Sequence, residues 1–208
     1  TLGAGSVLPR GADVVLHTGD RPAVLLLAGQ QPMASLSAGG RAAMVTYVAL
    51  GANVGDRAGA MDRALAALRG RCGEVSRVSQ LYVTAPQHVV DQPDFFNAAC
   101  ELRTALSPVE LLCALKAIER EMGRALPSGG ERYGPRIIDL DIVMFGGEVL
   151  EVATPEGPLT VPHPLMLQRT FVLAPLCDVA PNARHPATGR TVRAEFAALC
   201  AAERRAGG

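Results

Sequence analysis

The chain changes character at residue 44. Before that position the hydrophobic pattern has no sustained period, and after it short segments alternate between strand-like and helix-like spacing. The predicted elements are, in chain order, a strand at Val45–Leu50, a helix at Ala58–Arg71, strands at Val75–Thr84 and Phe95–Leu102, a helix from Pro108 to about Met122 and a strand at 138–145. This β-α-β-β-α-β order predicts an α+β, ferredoxin-like core, in which helices pack on an antiparallel sheet.

Further elements are predicted after this core. They are a hairpin at Glu148–Val161 and helices near Leu165–Cys177 and Thr191–Ala202. The first 43 residues are rich in Gly, Ala, Ser and Pro, which is typical of a poorly ordered extension. We therefore expect an extension at 1–43, one domain at 44–202 and a tail at 203–208.

Composition removes several classes of protein. The chain has 208 residues, of which 49% are hydrophobic, and its 20 basic and 20 acidic side chains balance. A nucleic-acid binder would usually be basic, and no apolar run approaches the ~18 residues of a membrane span. Lys116 is the only lysine and lies between Leu115 and Ala117, so the chain has no GxxxxGK[ST] phosphate loop. The five cysteines show no C-x-x-C spacing, which favours reduced, buried thiols.

Two aspartates stand on the last strand of the predicted core. Asp139 and Asp141 are two residues apart, so in a strand their side chains lie on one face. Ile138, Leu140 and Ile142 point to the other face and can be buried. A lone D-x-D pattern also occurs on solvated strands, but aspartate is disfavoured in an otherwise apolar strand. Paired carboxylates here predict a Mg²⁺ site.

The segment before that strand is a long loop, residues 123–136, which carries Arg124, Arg132 and Arg136. An exposed linker is the simpler interpretation. However, loops of more than ~12 residues without structure are uncommon in compact domains and are often lids. Because this loop leads directly into the aspartate strand, we interpret it as a mobile lid that brings arginines over a triphosphate.

Two other segments carry candidate ligand-binding side chains. Phe95 and Asn97 share one face of the third strand, where a ring and an amide could stack on and hydrogen-bond a flat heterocycle. A core phenylalanine beside a turn-proximal asparagine would give the same pattern. Downstream, His163 lies between two prolines, and Arg169 and Phe171 could offer phosphate and ring contacts.

Together these segments resemble the 6-hydroxymethyl-7,8-dihydropterin pyrophosphokinase family of folate biosynthesis. The resemblance spans roughly residues 45–200. Its pieces are Ala49-Leu50-Gly51-Ala52-Asn53-Val54-Gly55-Asp56-Arg57, Asp91-Gln92-Pro93-Asp94-Phe95-Phe96-Asn97-Ala98-Ala99, Ile118-Glu119 with Gly123-Arg124, Gly134-Pro135-Arg136-Ile137-Ile138-Asp139-Leu140-Asp141-Ile142 and Val161-Pro162-His163-Pro164. The combination of G-P-R, D-x-D and V-P-H-P in this order is highly specific.

The resemblance implies transfer of the β,γ-diphosphate of ATP to the hydroxymethyl group of the pterin, with release of AMP. The implied roles are two Mg²⁺ ions on Asp139 and Asp141, phosphate contacts from Arg124, Arg136, His163 and Arg169, pterin contacts from Thr84, Phe95, Asn97 and Phe171, and a nucleotide site lined by Glu119, Ile142 and Thr160. The implied catalytic set is Arg124, Arg136, Asp139 and Asp141. The chain departs from the family pattern at Leu126, where a second lid arginine is usual, and at Tyr133, where a tryptophan is common.

Two other functions fit parts of the pattern. A Mg²⁺-dependent sugar-nucleotide transferase also uses D-x-D, although such enzymes are usually larger. A non-catalytic ferredoxin-like module, such as an RNA-recognition domain, would need sheet-face aromatics, and aromatic residues make up only 4% of this chain. We expect ATP and a dihydropterin as partners, no nucleic acid or membrane, a monomer, and a cytoplasmic location with mitochondria as the alternative. Fusion to other folate-pathway domains stays open.

Overall fold

The computed structural model describes residues 14–16, 41–86, 91–123 and 134–206. Within these ranges the elements are β1 (Val14–Leu16), β2 (Met44–Ala52), α1 (Arg57–Arg71), β3 (Glu74–Val78), β4 (Tyr82–Thr84), β5 (Phe95–Thr104), α2 (Pro108–Glu121), β6 (Asp139–Phe145), β7 (Leu150–Thr154), β8 (Gly157–Val161), a 3₁₀ turn (Met166–Gln168), α3 (Thr170–Val179) and α4 (Val192–Ala206). The predicted order of core elements is confirmed.

The main sheet is antiparallel throughout. Its strands follow the order β1-β4-β5-β2-β6, and β3 pairs with a second stretch of β5. The two central strands, β2 and β5, pair over their full lengths from Met44 opposite Thr104 to Ala52 opposite Phe96. This is the predicted ferredoxin-like arrangement, with the first and third core strands in the middle of the sheet.

The single strand predicted at Val75–Thr84 is two strands, and this prediction was wrong. Val78 lies opposite Cys100 and Tyr82 lies opposite Asn97, so one extra residue must be absorbed between them. Ser79 absorbs it, because its backbone N–H donates to Ala99 O at 2.9 Å and its hydroxyl accepts from Ala99 N at 2.9 Å. A side-chain oxygen thus takes the place of a carbonyl at this irregularity.

Alternation along the strands gives the sheet two different faces. Val48 and Leu50 on β2 and Leu140 and Ile142 on β6 are buried against α1 and α2. The opposite face packs α3 and α4 on Ala99 and the C-terminal half of β6. Asp139 and Asp141 belong to this second face, which the helices cover only in part. The uncovered part holds the site described below.

The elements after the core agree with prediction in kind and differ in their ends. The predicted hairpin is β7 paired with β8. The first predicted helix is divided into the 3₁₀ turn and α3, and Arg169 lies between them. Helix α4 continues to Ala206, beyond the predicted end at Ala202. No helix in the described part of the chain is long and apolar enough to cross a membrane.

Most of the predicted extension at 1–43 lies outside the described residues. Within it, the three residues of β1 pair with β4 at the edge of the sheet, with Val15 opposite Val83. The domain boundaries at 43 and 202 stay predictions.

Candidate active site

A cavity of about 310 Å³ lies over the open part of the second sheet face. Strands β2, β5 and β6 form its floor. In their pairing Gly51 lies opposite both Asn97 and Asp139, and Ala49 lies opposite Asp141. Because the central strand contributes only small side chains here, the residues on its two neighbours can face each other across open space. The register therefore places an amide from β5 and two carboxylates from β6 in one cavity.

One end of the cavity collects the charged groups, and we call it the carboxylate end. Arg136 Nη1 donates to Asp139 Oδ2, and the side chain of Asp139 keeps 19% of its surface exposed. The side chain of Asp141 is 41% exposed, and its Oδ1 lies 4.0 Å from Lys116 Nζ. His163 and Arg169 line the same cavity. Two acids thus face several cations.

The acids and the histidine influence one another. Desolvation raises the pKa of Asp141, the charge of Asp139 raises it further, and the charges of Lys116, His163 and Arg136 oppose this rise. Desolvation lowers the pKa of His163, the carboxylate of Asp141 opposes this, and the charge of Arg169 adds to the lowering. Both pKa shifts follow first from desolvation in the partly closed cavity, and a neighbouring like charge adds to each of them.

His163 is held by its own backbone and its neighbours. The backbone N–H of His163 donates to Val143 O at 2.9 Å, and its ring Nδ1 accepts from the backbone N–H of Leu165 at 3.1 Å. With Nδ1 used as an acceptor, the proton of the neutral ring lies on Nε2. The imidazole can therefore donate from Nε2 to an anionic ligand.

The other end of the cavity carries the amide and the aromatic rings, and we call it the amide end. Asn97 is 5% exposed and its Nδ2 donates to Thr84 Oγ1 at 2.9 Å. Phe95 and Phe171 line the cavity as well, and the guanidinium of Arg169 lies 5.6 Å from the Phe171 ring centroid. A fixed amide with two aromatic rings in one cavity suits a flat, hydrogen-bonding ligand.

The cavity thus brings together nine of the residues singled out from the sequence. They are Thr84, Phe95, Asn97, Arg136, Asp139, Asp141, His163, Arg169 and Phe171. Arg124 and Arg132 lie outside the described residues. Three others lie elsewhere: Ile142 is buried in the core under α2, Thr160 lines a neighbouring groove with His163, and Glu119 is only 1% exposed. Their roles in binding a nucleotide stay predictions.

Glu119 and Lys116 act together at the free edge of β6. Glu119 Oε1 accepts from Leu140 N at 2.7 Å and from Lys116 Nζ at 2.9 Å, and Lys116 Nζ also donates to Leu140 O at 3.3 Å. One residue of the edge strand thus has both its backbone groups bonded to side chains of α2. The resemblance linked Glu119 to the nucleotide site. Its burial is explained by these bonds to Leu140 and Lys116.

We expect Glu119→Leu to lower the free energy of unfolding by about 2 kcal/mol, because it leaves a buried backbone N–H without this acceptor and removes the partner of Lys116. Glu119→Gln should cost less, because its side-chain oxygen can still accept from Leu140 N. Urea denaturation of both variants measures this. Equal stability of Glu119→Leu and the parent chain would contradict the edge role.

Two polar residues near the cavity were not singled out from the sequence. Lys116 approaches Asp141 from the α2 side, and Asn53 is buried at the end of β2. Lys116 has helical neighbours, and Asn53 was noted only as part of the Ala49–Arg57 segment, without a role of its own. For Lys116, its being the only lysine in the chain was the one available signal.

The donor set of the carboxylate end fits Mg²⁺. Two carboxylates on adjacent outward positions of one strand supply the one or two protein ligands that Mg²⁺ usually takes, with water and phosphate oxygens as the rest. Within residues 41–86, 91–123 and 134–206 there is no cluster of three or more His, Cys, Asp or Glu side chains that could hold a metal by itself. A ligand that brings its own oxygens would complete such a site.

The fold and the cavity together fit a small-molecule-binding domain, in which charged groups that suit phosphate lie beside groups that suit a flat ring. A model of the family described as 7,8-dihydro-6-hydroxymethylpterin-pyrophosphokinase (HPPK) matches residues 47–181. The Bacillus subtilis protein named 2-amino-4-hydroxy-6-hydroxymethyldihydropteridine pyrophosphokinase is 41% identical over 145 residues, which is 69% of this chain and 83% of that one. The chain belongs to the HPPK family.

Longer relatives match as well. The Pisum sativum protein named folate synthesis bifunctional protein, mitochondrial, is 47% identical over 132 residues, 64% of this chain and 24% of that one. The Pneumocystis carinii folic acid synthesis protein fol1 is 38% identical over 150 residues, 72% of this chain and 19% of that one. The chain spans about a quarter or less of the length of these relatives. A crystal structure of Plasmodium falciparum HPPK-DHPS shares the fold, with a TM-score of 0.63 and 16% identity over 75% of this chain and 44% of that one.

Proposed function

We propose that the chain transfers diphosphate from ATP to the hydroxymethyl group of 6-hydroxymethyl-7,8-dihydropterin, giving AMP and the pterin diphosphate. The observation that carries this proposal is the two-ended cavity, in which Asp139 lies across Gly51 from Asn97 and in which Asp141 and Arg136 line the same space. Membership of the HPPK family supports the choice of substrates. The sugar-nucleotide and RNA alternatives have no comparable support.

The amide end would hold the pterin. Asn97 is fixed by Thr84, so its carbonyl oxygen can accept from the amino-substituted edge of the ring. Phe95 and Phe171 would stack on the two faces of the ring, which excludes water from them. A pterin held in this way would direct its hydroxymethyl group toward the carboxylate end.

The carboxylate end would hold the triphosphate. Asp139 and Asp141 would bind two Mg²⁺ ions, which neutralise charge on the phosphates when bound. Arg136, His163 and Arg169 line the cavity and would donate to phosphate oxygens. Arg124 would join them from the loop at 123–136. Releasing Arg136 from Asp139 toward the phosphates would strengthen charge stabilisation where it is needed.

In the reaction the hydroxymethyl oxygen forms a bond to the β-phosphorus of ATP, and the bond from that phosphorus to the oxygen of AMP breaks. The hydroxyl proton passes to solvent. The contribution of the chain is then to hold both substrates in line and to stabilise the developing charge.

The proposal is tested by following ATP and AMP by chromatography with purified protein. We expect AMP to appear only when ATP, Mg²⁺ and the dihydropterin are all present, with one pterin diphosphate formed per AMP. Sugars and RNA should release none. AMP formation that is independent of the pterin, or release of ADP in its place, would contradict the proposal.

Some relatives extend far beyond the region that this chain matches. The Pisum sativum and Pneumocystis carinii proteins are named as folate-synthesis proteins, and this chain matches only a part of each. We therefore propose that this chain works fused to, or beside, other enzymes of folate synthesis, in the cytoplasm or in mitochondria. Monomeric behaviour stays an expectation.

A further inference from the structure

Asn53, the first residue after β2, connects three segments of the chain. It is 1% exposed. Its backbone N–H donates to Arg136 O at 3.0 Å, and its Oδ1 accepts from Arg136 N at 2.7 Å. Its Nδ2 donates to Gln92 Oε1 at 2.9 Å and to Pro93 O at 3.2 Å. The buried amide therefore uses both its oxygen and its nitrogen.

The two segments that Asn53 contacts belong to opposite ends of the cavity. Arg136 carries the guanidinium of the carboxylate end. Gln92 lines the cavity and stands just before Phe95 and Asn97, which form the amide end. A single side chain thus links the segments that lead into the two ends of the cavity.

Arg136 requires such a support because of where it lies in the chain. The ladder between β2 and β6 begins at Asp139, opposite Gly51, so Arg136 precedes the regular pairing. Asn53 gives it a pair of hydrogen bonds that extends the β2 side of the ladder past its end. A backbone fixed in this way limits the positions that the guanidinium can reach.

We propose that Asn53 is a positioning residue that aligns Arg136 with the acceptor held at the amide end. The inference rests on the proposed function. If it holds, removing the Asn53 side chain should impair turnover through Arg136, because small displacements of a group that stabilises the transition state cost rate steeply. A purely structural asparagine would lower stability without this dependence.

A double-mutant cycle separates these two roles. We expect Asn53→Ala to lower kcat by about tenfold in the parent chain, but by less than about twofold in the Arg136→Ala background, where there is no guanidinium to align. Equal losses in both backgrounds, or no loss in the parent chain, would overturn the inference. A thermal melt of each variant checks that it is folded at the assay temperature.

Arg57→Ala is the matched control. Arg57 starts α1 from the same turn, and its Nη1 donates to Asp94 O at 2.7 Å while its guanidinium lies 4.1 Å from the Phe96 ring centroid. It braces the same segment as Asn53 through its hydrogen bond to Asp94 O. Its effect should be the same factor in both backgrounds, and a dependence on Arg136 equal to that of Asn53→Ala would overturn the inference.

A second variant covers the case in which Asn53→Ala does not fold. Asn53→Asp keeps an oxygen for Arg136 N but turns its other oxygen toward two acceptors, Gln92 Oε1 and Pro93 O, so the link to the amide end is lost. The loss of kcat should therefore be larger in the parent chain than in the Arg136→Ala background, and equal losses in both would overturn the inference. The parent chain decides the proposed function by itself: without pterin-dependent AMP the function fails, whereas an active parent with an additive cycle removes only the role of Asn53.

Discussion

Asp139→Asn and Asp141→Asn are each expected to reduce kcat by about a thousandfold or more. The substitution keeps the size of the side chain and removes the charge that would bind Mg²⁺. Several kcal/mol of transition-state stabilisation are lost with a catalytic metal, and each 1.4 kcal/mol is about tenfold in rate. The pterin-dependent formation of AMP measures the loss, and calorimetric titration with Mg²⁺ and a non-hydrolysable ATP analogue measures metal binding directly.

Asp141→Asn should not unfold the protein. The pKa of Asp141 is raised in the folded state by desolvation and by the charge of Asp139. A carboxyl whose folded pKa exceeds its unfolded value opposes folding once pH rises through that range. Asp141→Asn should therefore leave the melting temperature at neutral pH unchanged or higher. Asp62→Asn, on the exposed side of α1, is the control that should alter neither activity nor metal binding. Full Mg²⁺-dependent turnover in both strand variants would refute the metal assignment.

The faces of the strands could be predicted from the sequence because they depend on a local period. On β6, the alternation of Asp139, Leu140, Asp141 and Ile142 determines which side chains reach the cavity and which reach the core. The break at Ser79 could not be predicted in this way. It depends on a hydrogen bond to Ala99, on a strand 20 residues further along the chain, so the alternation of Val75–Thr84 carries no trace of it.

The same limit applies to the site. Residues on β5 and β6 were brought together by the register of β2, for which the two small residues Ala49 and Gly51 gave no obvious sign. Asn53 bonds to Arg136 across 83 positions, and Lys116 reaches Asp141 from a helix. The resemblance implied that Glu119 lines the nucleotide site, and in the structure its carboxylate accepts a hydrogen bond from Leu140 N at the edge of β6. Long-range partners decide the use of a polar side chain, and periodicity does not contain them.

Arg136→Ala is expected to lower kcat/KM by about a hundredfold. A charged donor aimed at developing phosphate charge contributes about 3 kcal/mol to transition-state stabilisation. In the structure the guanidinium of Arg136 bonds Asp139, so it lies at the carboxylate end, where the triphosphate would bind. Initial rates with varied ATP and varied pterin measure the effect, and an unchanged kcat/KM would count against the assignment.

Arg136→Lys separates charge from geometry. The ammonium keeps the positive charge but lacks the planar fork that bonds two oxygens at once. We expect kcat/KM of Arg136→Lys to be about tenfold higher than that of Arg136→Ala, since charge alone provides only some of the stabilisation. A lysine variant as impaired as the alanine variant would mean that the fork itself is required, with one nitrogen on Asp139 and another on phosphate. Full recovery would mean that Arg136 acts as a simple counter-charge, and the tight backbone support from Asn53 would then have no catalytic reason.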